Sequence, residues 1–328
     1  MTRILARVRP DPYVVALLLV AAAAALAPVR GEPAHVLDQA VKAAIGFLFF
    51  LYGARLSTTA AWDGLRKWKL HGTALATTFV LFPLLGLACS VLVPAVLPQS
   101  LYAGVLFLCL LPSTVQSAIT FTSLAGGNVP AAICGSSFSN LLGVLVTPLL
   151  VGLLMTGGNG GFSGQGARDI VLLLLVPFCV GQVLRPVVGE CIRRHAKVLG
   201  LLDRGVILAV VYVAFSGGTV SGVWQQLSPA GIGVLVVVDG ALLAAALIGT
   251  ALLARWCGFS RADRVVLVFC GSNKSLASGL PMASVLFGGA EAGLVVLPLM
   301  IYHQMQLIGC AWLARRFARQ AAEPVGVA

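Results

Sequence analysis

The chain has 328 residues, of which 59% are hydrophobic and only 10% charged, with a mean hydropathy of +0.98. A water-soluble globular surface cannot be assembled from that alphabet, and several apolar runs exceed the ~18 residues needed to cross a bilayer core, so lipid is the solvent. The formal net charge of +11 would point a soluble domain toward nucleic acid, but the basic residues sit in short clusters between apolar runs, a pattern of membrane topology with no nucleic-acid partner.

At the start, Arg3, Arg7 and Arg9 precede an apolar stretch and then Ala25-Leu26-Ala27, which together mimic a secretory signal and its cleavage site. The stretch from Tyr13 to Val29 is long for a signal core, and the repeat described below needs it, so it is assigned to a first helix near 12–29. Further apolar runs bounded by charge, proline or glycine predict helices near 36–56, 71–97, 101–124, 129–155, 169–189, 203–223, 229–254, 264–286 and 291–314. Asp38 and Lys42, four apart, leave the second run free to begin in the interface.

The polar segment TGGNGGFSGQG, Thr156 to Gly166, falls near the midpoint. It divides the chain into a first five-helix half (1–155), a flexible connecting loop (156–168), a second half (169–314) and a cytoplasmic tail (315–328). If the N-terminus is cytoplasmic, the basic clusters at Arg55 to Lys69, Arg185 to Arg204, Arg255 to Arg264 and Arg315 to Arg319 all face the cytoplasm, as do both termini. Arg30, Lys42, Arg168 and Lys274 stand outside those clusters, and Trp62, Trp68, Trp256 and Trp312 fall beside them. The map is that of a multi-pass cell-membrane protein, with a bacterial inner membrane as its expected home.

Two runs are interrupted by polar residues. In the fourth, Pro112-Ser113-Thr114-Val115-Gln116-Ser117 follows LFLCLL and the run ends at Gly126-Gly127; in the ninth, Gly271-Ser272-Asn273-Lys274-Ser275 follows VLVFC and the run ends at Gly288-Gly289. Five helices per half is an odd number, so the second copy enters from the opposite side and the halves form an inverted repeat. Proline and glycine unwind a helix and expose amides and carbonyls that hydrocarbon cannot satisfy. One such break is ordinarily a kink absorbed by neighbouring serines; two in corresponding runs, both lined with hydroxyls and amides, predict a binding site.

The fifth run adds Ser136, Ser137, Ser139 and Asn140, which alone would be packing glue but which directly follow the first break. Asn140 is the best ligand among them, its carbonyl accepting while its amide donates. Lys274 is the one lysine deep within a span, with no acidic residue near it in sequence. An ionisable group at that depth is a functional hypothesis, and its competitor is an ammonium snorkelling to an interface. Asp239, in VLVVVDGALLA, either pairs with Lys274 or lies in a shallower part of the eighth run. His303, Gln304 and Gln306 form a second polar face on the tenth, where a lone histidine is more often a packing residue than a proton carrier. The eight cysteines form no CxxC pair and read as small buried hydrophobes.

With LPSTVQSAITFTSLAGGNVPAAICGSSFSNLLGVLVTPLL in one half and CGSNKSLASGLPMA in the other, the sequence resembles the bile acid:sodium symporter superfamily over essentially its whole length. It is most similar to the divergent bacterial branch related to the seventh member of solute carrier family ten. The resemblance implies an all-α fold of ten transmembrane helices, with a core holding two crossing broken helices and a panel of helices one, two, six and seven. Substrate would bind between the two. In sodium-coupled members a glutamate and a nearby glutamine of the ninth helix hold two sodium ions together with polar residues of helices four and five. This chain departs there. Phe269 or Cys270 stands at the glutamate, Asn273 at the glutamine with Lys274 just beyond, Ser136 at a sodium-binding threonine and Ala132 at a sodium-binding serine. Losing a carboxylate and gaining a lysine disfavours two cations.

The expected function is secondary transport of a small organic solute, anionic or amphipathic, by alternating access, with no cofactor and with sodium or a proton as coupling ion. The candidate site is Ser113, Thr114, Gln116, Ser117, Ser136, Ser139, Asn140, Ser272, Asn273, Lys274 and Ser275, with Asp239, His303 and Gln304 behind it and any sodium near Ser136, Asn140 and Asn273. The alternative is a non-transporting regulator or scaffold that keeps the fold. An intramembrane transferase is disfavoured, since there is no DDxxD-like acidic pair and no nucleophile with a matching base.

Overall fold

The computed structural model describes residues 12–55, 67–155, 171–287 and 290–322. The connecting loop 156–168, the arginines before residue 10, Trp62, Gly288-Gly289 and the chain beyond 322 lie outside the described residues. In chain order the helices are α1 (Pro12–Leu26), α2 (Glu32–Arg55), α3 (Trp68–Leu92), α4 (Gln99–Leu110), α5 (Val115–Leu124), α6 (Val129–Met155), α7 (Val176–Arg194, entered through a π-turn at Val171–Leu175), α8 (Ala196–Val220), α9 (Pro229–Trp256), α10 (Arg261–Ser272), α11 (Leu276–Leu286) and α12 (Ala290–Ala322). There are no strands among the described residues.

Seven of these helices are long and apolar enough to cross a membrane, or eight when α4 and α5, bent by 63° at their junction, are taken as one span. Leu149, Leu153, Val183, Val187 and Val237 lie exposed on their outer faces, as expected of side chains whose solvent is lipid. The predicted third helix is corrected at both ends and inside. It begins at Trp68, ends at Leu92 before Val93-Pro94, and carries a π-turn at Thr77–Leu81 immediately ahead of Pro83. The segment expected as a tail continues α12 as helix to Ala322.

α2 lies along α7 and α1 along α8, with α2 and α8 also in contact, so these four helices form one group, whose α8 packs in turn against α12 and α11. The α2–α7 contact is backbone against backbone. A methyl group on Gly53 would meet the carbonyl of Phe178, and one on Gly181 the carbonyl of Phe50, so both positions need glycine for the approach itself. Arg55 Nη1 donates to Asp203 Oδ2 at 2.6 Å and Tyr212 Oη to the Ala27 carbonyl at 2.8 Å, tying α2 and α1 to α8.

The other unit is built on α12, which packs against α4, α9 and α11, with α6 beside α5. Its interior is the apolar face of α4, from Val105 to Leu111, together with Leu280, Met282, Val296, Leu299 and Tyr302, all buried. α5 stops in a Schellman arrangement: Gly126 adopts φ +66°, and the Gly127 amide reaches back to the Thr122 carbonyl at 2.8 Å. That tight stop turns the chain directly into α6, whose side chains then meet the first break.

Candidate functional site

The two interruptions are shorter than the sequence suggests. Only Leu111–Thr114 and Asn273–Ser275 leave the helix; Gln116 and Ser117 already belong to the first turn of α5, and Gly271 and Ser272 to the last turn of α10. The breaks touch. The Ser275 amide donates to the Pro112 carbonyl at 2.9 Å, and Thr114 Oγ1 to the Lys274 carbonyl at 3.2 Å.

The carbonyls that the first break releases are satisfied one by one. Pro112 has no amide to return to the helix, and beyond it the backbone is extended, so Cys109, Leu110, Leu111, Pro112 and Ser113 need donors from elsewhere. Lys274 Nζ donates to Cys109 at 3.0 Å and Leu111 at 2.7 Å, Thr147 Oγ1 to Leu110 at 2.8 Å, the Ser275 amide to Pro112, and Asn140 Nδ2 to Ser113 at 2.5 Å. The free Ser113 amide donates to Ser139 Oγ at 2.9 Å. Gly143 lets the Pro112 ring seat against α6, where a methyl group would sit 2.6 Å from Pro112 Cβ. Replacing Thr147 with valine keeps shape and removes one donor, so a loss of about 1–3 kcal/mol in the unfolding free energy is expected. Thermal denaturation of the purified protein reads this directly, and an unchanged midpoint would show that Leu110 finds another donor.

Lys274 is wholly buried, and its ammonium has a third acceptor, the Thr78 carbonyl at 3.1 Å. That carbonyl is free for a local reason. The π-turn sends the Phe82 amide to Thr77, and the next bond of that series would come from residue 83, which is proline and has no N–H. The Phe82 ring completes the enclosure, its centroid 4.0 Å from Nζ. The second break is held from α12: Gln306 Oε1 accepts from the Lys274 amide at 2.8 Å, Gln306 Nε2 donates to the Lys274 carbonyl at 2.9 Å, and Tyr302 Oη donates to Ser272 at 2.8 Å. Lys274 is therefore a tie between α3, α4 and the second break, and neither snorkels nor pairs with Asp239.

Asp239 is buried on α9, and both its oxygens lack a hydrogen-bond partner among the described residues. Ser136 Oγ donates to the Ala132 carbonyl at 2.6 Å, and Ser272 Oγ to Val268 at 2.6 Å. Asn273 Oδ1 accepts from Cys310 Sγ at 3.2 Å, and Asn140 Oδ1 from Ser278 Oγ at 2.7 Å. The side chains expected near a sodium ion thus each make a hydrogen bond within the protein, with Lys274 as the nearby full charge. No cluster of three or more His, Cys, Asp or Glu suited to a metal occurs among the described residues.

Beside the crossing is a cavity of about 790 Å³. One wall is the first turn of α5 (Thr114 to Ser117) and of α11 (Ser275 to Ser278), with Ser137 and Asn140 of α6 and His303 of α12. The opposite wall comes from α1, α2, α7 and α8: Tyr13, Phe49, Tyr52, Phe178, Ile207 and the charged trio Arg55, Asp203 and Arg204. Thr114, Gln116, Ser117, Asn140, Ser275 and His303 are thereby brought together. Ser113, Ser136, Ser139, Ser272, Asn273 and Lys274 do not line it, nor do Asp239 and the half-buried Gln304. Sequence reasoning missed Thr78, Phe82, Tyr302 and Thr147, and it assigned Arg55 and Arg204 to topology alone. Pro83 was the available signal for the first pair.

The model for the SBF-like CPA transporter family (DUF4137) matches residues 11–319. The chain belongs to that family. Among its relatives, "Uncharacterized protein PA2026" of Pseudomonas aeruginosa is 49% identical, covering 96% of this chain and 95% of its own. "Putative symporter YfeH" of Escherichia coli is 45% identical, covering 95% and 94%, and "Sodium/bile acid cotransporter 7" of Danio rerio is 31% identical, covering 93% of each. As an SBF-like CPA transporter family member the protein is a multi-pass membrane transporter and not an enzyme.

Proposed function

We propose that this transporter moves an anionic or amphipathic organic solute by alternating access, the α1, α2, α7 and α8 unit shifting against the crossing. We read the chain as ten spans in two inverted halves with both termini cytoplasmic, a reading supported by the paired breaks at 111–114 and 273–275. The observation that carries the function is the cavity between the two units, onto which the first turns of α5 and α11 open. α5 has no side-chain cap, so its first amides and the positive ends of both helix dipoles favour a negative group there.

Lys274 supplies a fixed positive charge where a sodium-coupled relative would place cations, so coupling to a proton or to the solute gradient is favoured over two-sodium symport. The test is counterflow of labelled taurocholate and other organic anions by the full chain in proteoliposomes, with sodium and pH gradients imposed separately. Saturable counterflow indifferent to sodium is expected. Sodium-dependent accumulation would overturn the coupling, and no flux of any anion would leave the scaffold alternative in possession.

A further inference from the structure

The cavity lining carries three fully charged side chains, and their pairing leaves one charge over. Arg55 spends its charge on Asp203, Nη1 to Oδ2 at 2.6 Å. Arg204, next in sequence, makes no ion pair with any carboxylate among the described residues, and its guanidinium carbon stands 5.4 Å from the ring centroid of Tyr13, which lines the same cavity. Among the described residues the wall therefore carries +1, and its cation is held against an aromatic face and not by a counter-ion.

The placement follows from helical spacing. Gly200, Asp203, Arg204 and Ile207 all line the cavity, which is the i, i+3, i+4, i+7 stripe of α8. That wall is largely apolar and aromatic, with Phe49, Phe178 and Ile207 beside the phenols of Tyr13 and Tyr52, while the facing wall mixes hydroxyls and amides with Phe121, Leu141, Val144, Met282 and Leu307. A largely apolar cavity with one unpaired cation and scattered hydrogen-bonding groups is complementary to an apolar body that carries one anionic group.

We infer that Arg204 is the headgroup anchor of the transported solute, and that the solute is an amphipathic monoanion whose carboxylate or sulfonate pairs with Arg204 while its apolar body fills the cavity. A dianion would leave its second charge without a partner, since Arg55 is already paired with Asp203. The inference rests on the proposed transport function but names a residue and a charge that transport alone does not require.

The test is ligand-induced thermal stabilisation of the full chain in nanodiscs, with cholate and laurate as amphipathic monoanions and their methyl esters as uncharged controls. In wild type the acids are expected to stabilise at about 10-fold lower concentration than the esters, the share of a charge-assisted hydrogen bond. Arg204→Gln should remove that advantage, and Arg204→Lys, which keeps the charge without the planar fork, should fall between. The ligand-free midpoints of both variants provide the folding control. Wild-type binding of the acids by Arg204→Gln, equal binding of acid and ester, or no stabilisation by either acid would each overturn the inference. Arg204-dependent binding without any flux in proteoliposomes would instead sink the transport function and leave the anion site standing.

Discussion

A Lys274→Met protein is expected to unfold at a clearly lower temperature than wild type and to carry no solute. Methionine retains most of the volume and spares the cost of burying an ammonium, which by itself argues for a neutral or stabilising change. The deciding term is what stays behind. The carbonyls of Thr78, Cys109 and Leu111 remain buried and lose their donor, at roughly 1–3 kcal/mol each, so a net loss of about 3–5 kcal/mol follows. A wild-type unfolding midpoint with wild-type flux would mean that water or a rearranged helix end satisfies those carbonyls.

The second large effect is expected at the α2–α7 contact. Gly53→Ala and Gly181→Ala each place a methyl group against a backbone carbonyl that has no rotamer to adopt, so the helices must part. The cost should exceed the ~1–3 kcal/mol typical of overpacking against side chains. Gly205→Ala, where an added methyl group meets nothing within 4 Å, is the control. Thermal unfolding of the three variants side by side checks this, and equal midpoints would show that the two helices separate freely.

The sequence made membrane residence, helix order and both interruptions legible, because hydrophobic runs and buried proline or glycine are local signals. It also singled out Lys274, since a lysine at that depth is rare. What it did not carry was direction. Lys274 lies in the right segment but turns away from the cavity, because the carbonyls freed by Pro83 and Pro112 converge behind the crossing, on helices far apart in the chain. Arg204 was hidden for the opposite reason: in a string of basic residues it looks like topology, and only the ion pair between Arg55 and Asp203, 148 positions apart, leaves it as the unpaired charge of the cavity among the described residues.

The closed hydrogen bonding of the first break has a kinetic consequence. Every released carbonyl from Cys109 to Ser113 is served by a donor that travels with it, from α6, from the second break or from Lys274, and none by the α1, α2, α7 and α8 unit. In the proposed alternating access, sliding that unit past the crossing would break none of these bonds. On that proposal the barrier to turnover lies in exchanging one set of apolar contacts for another, and lipid composition, which acts on such contacts, is expected to be a lever on transport rate.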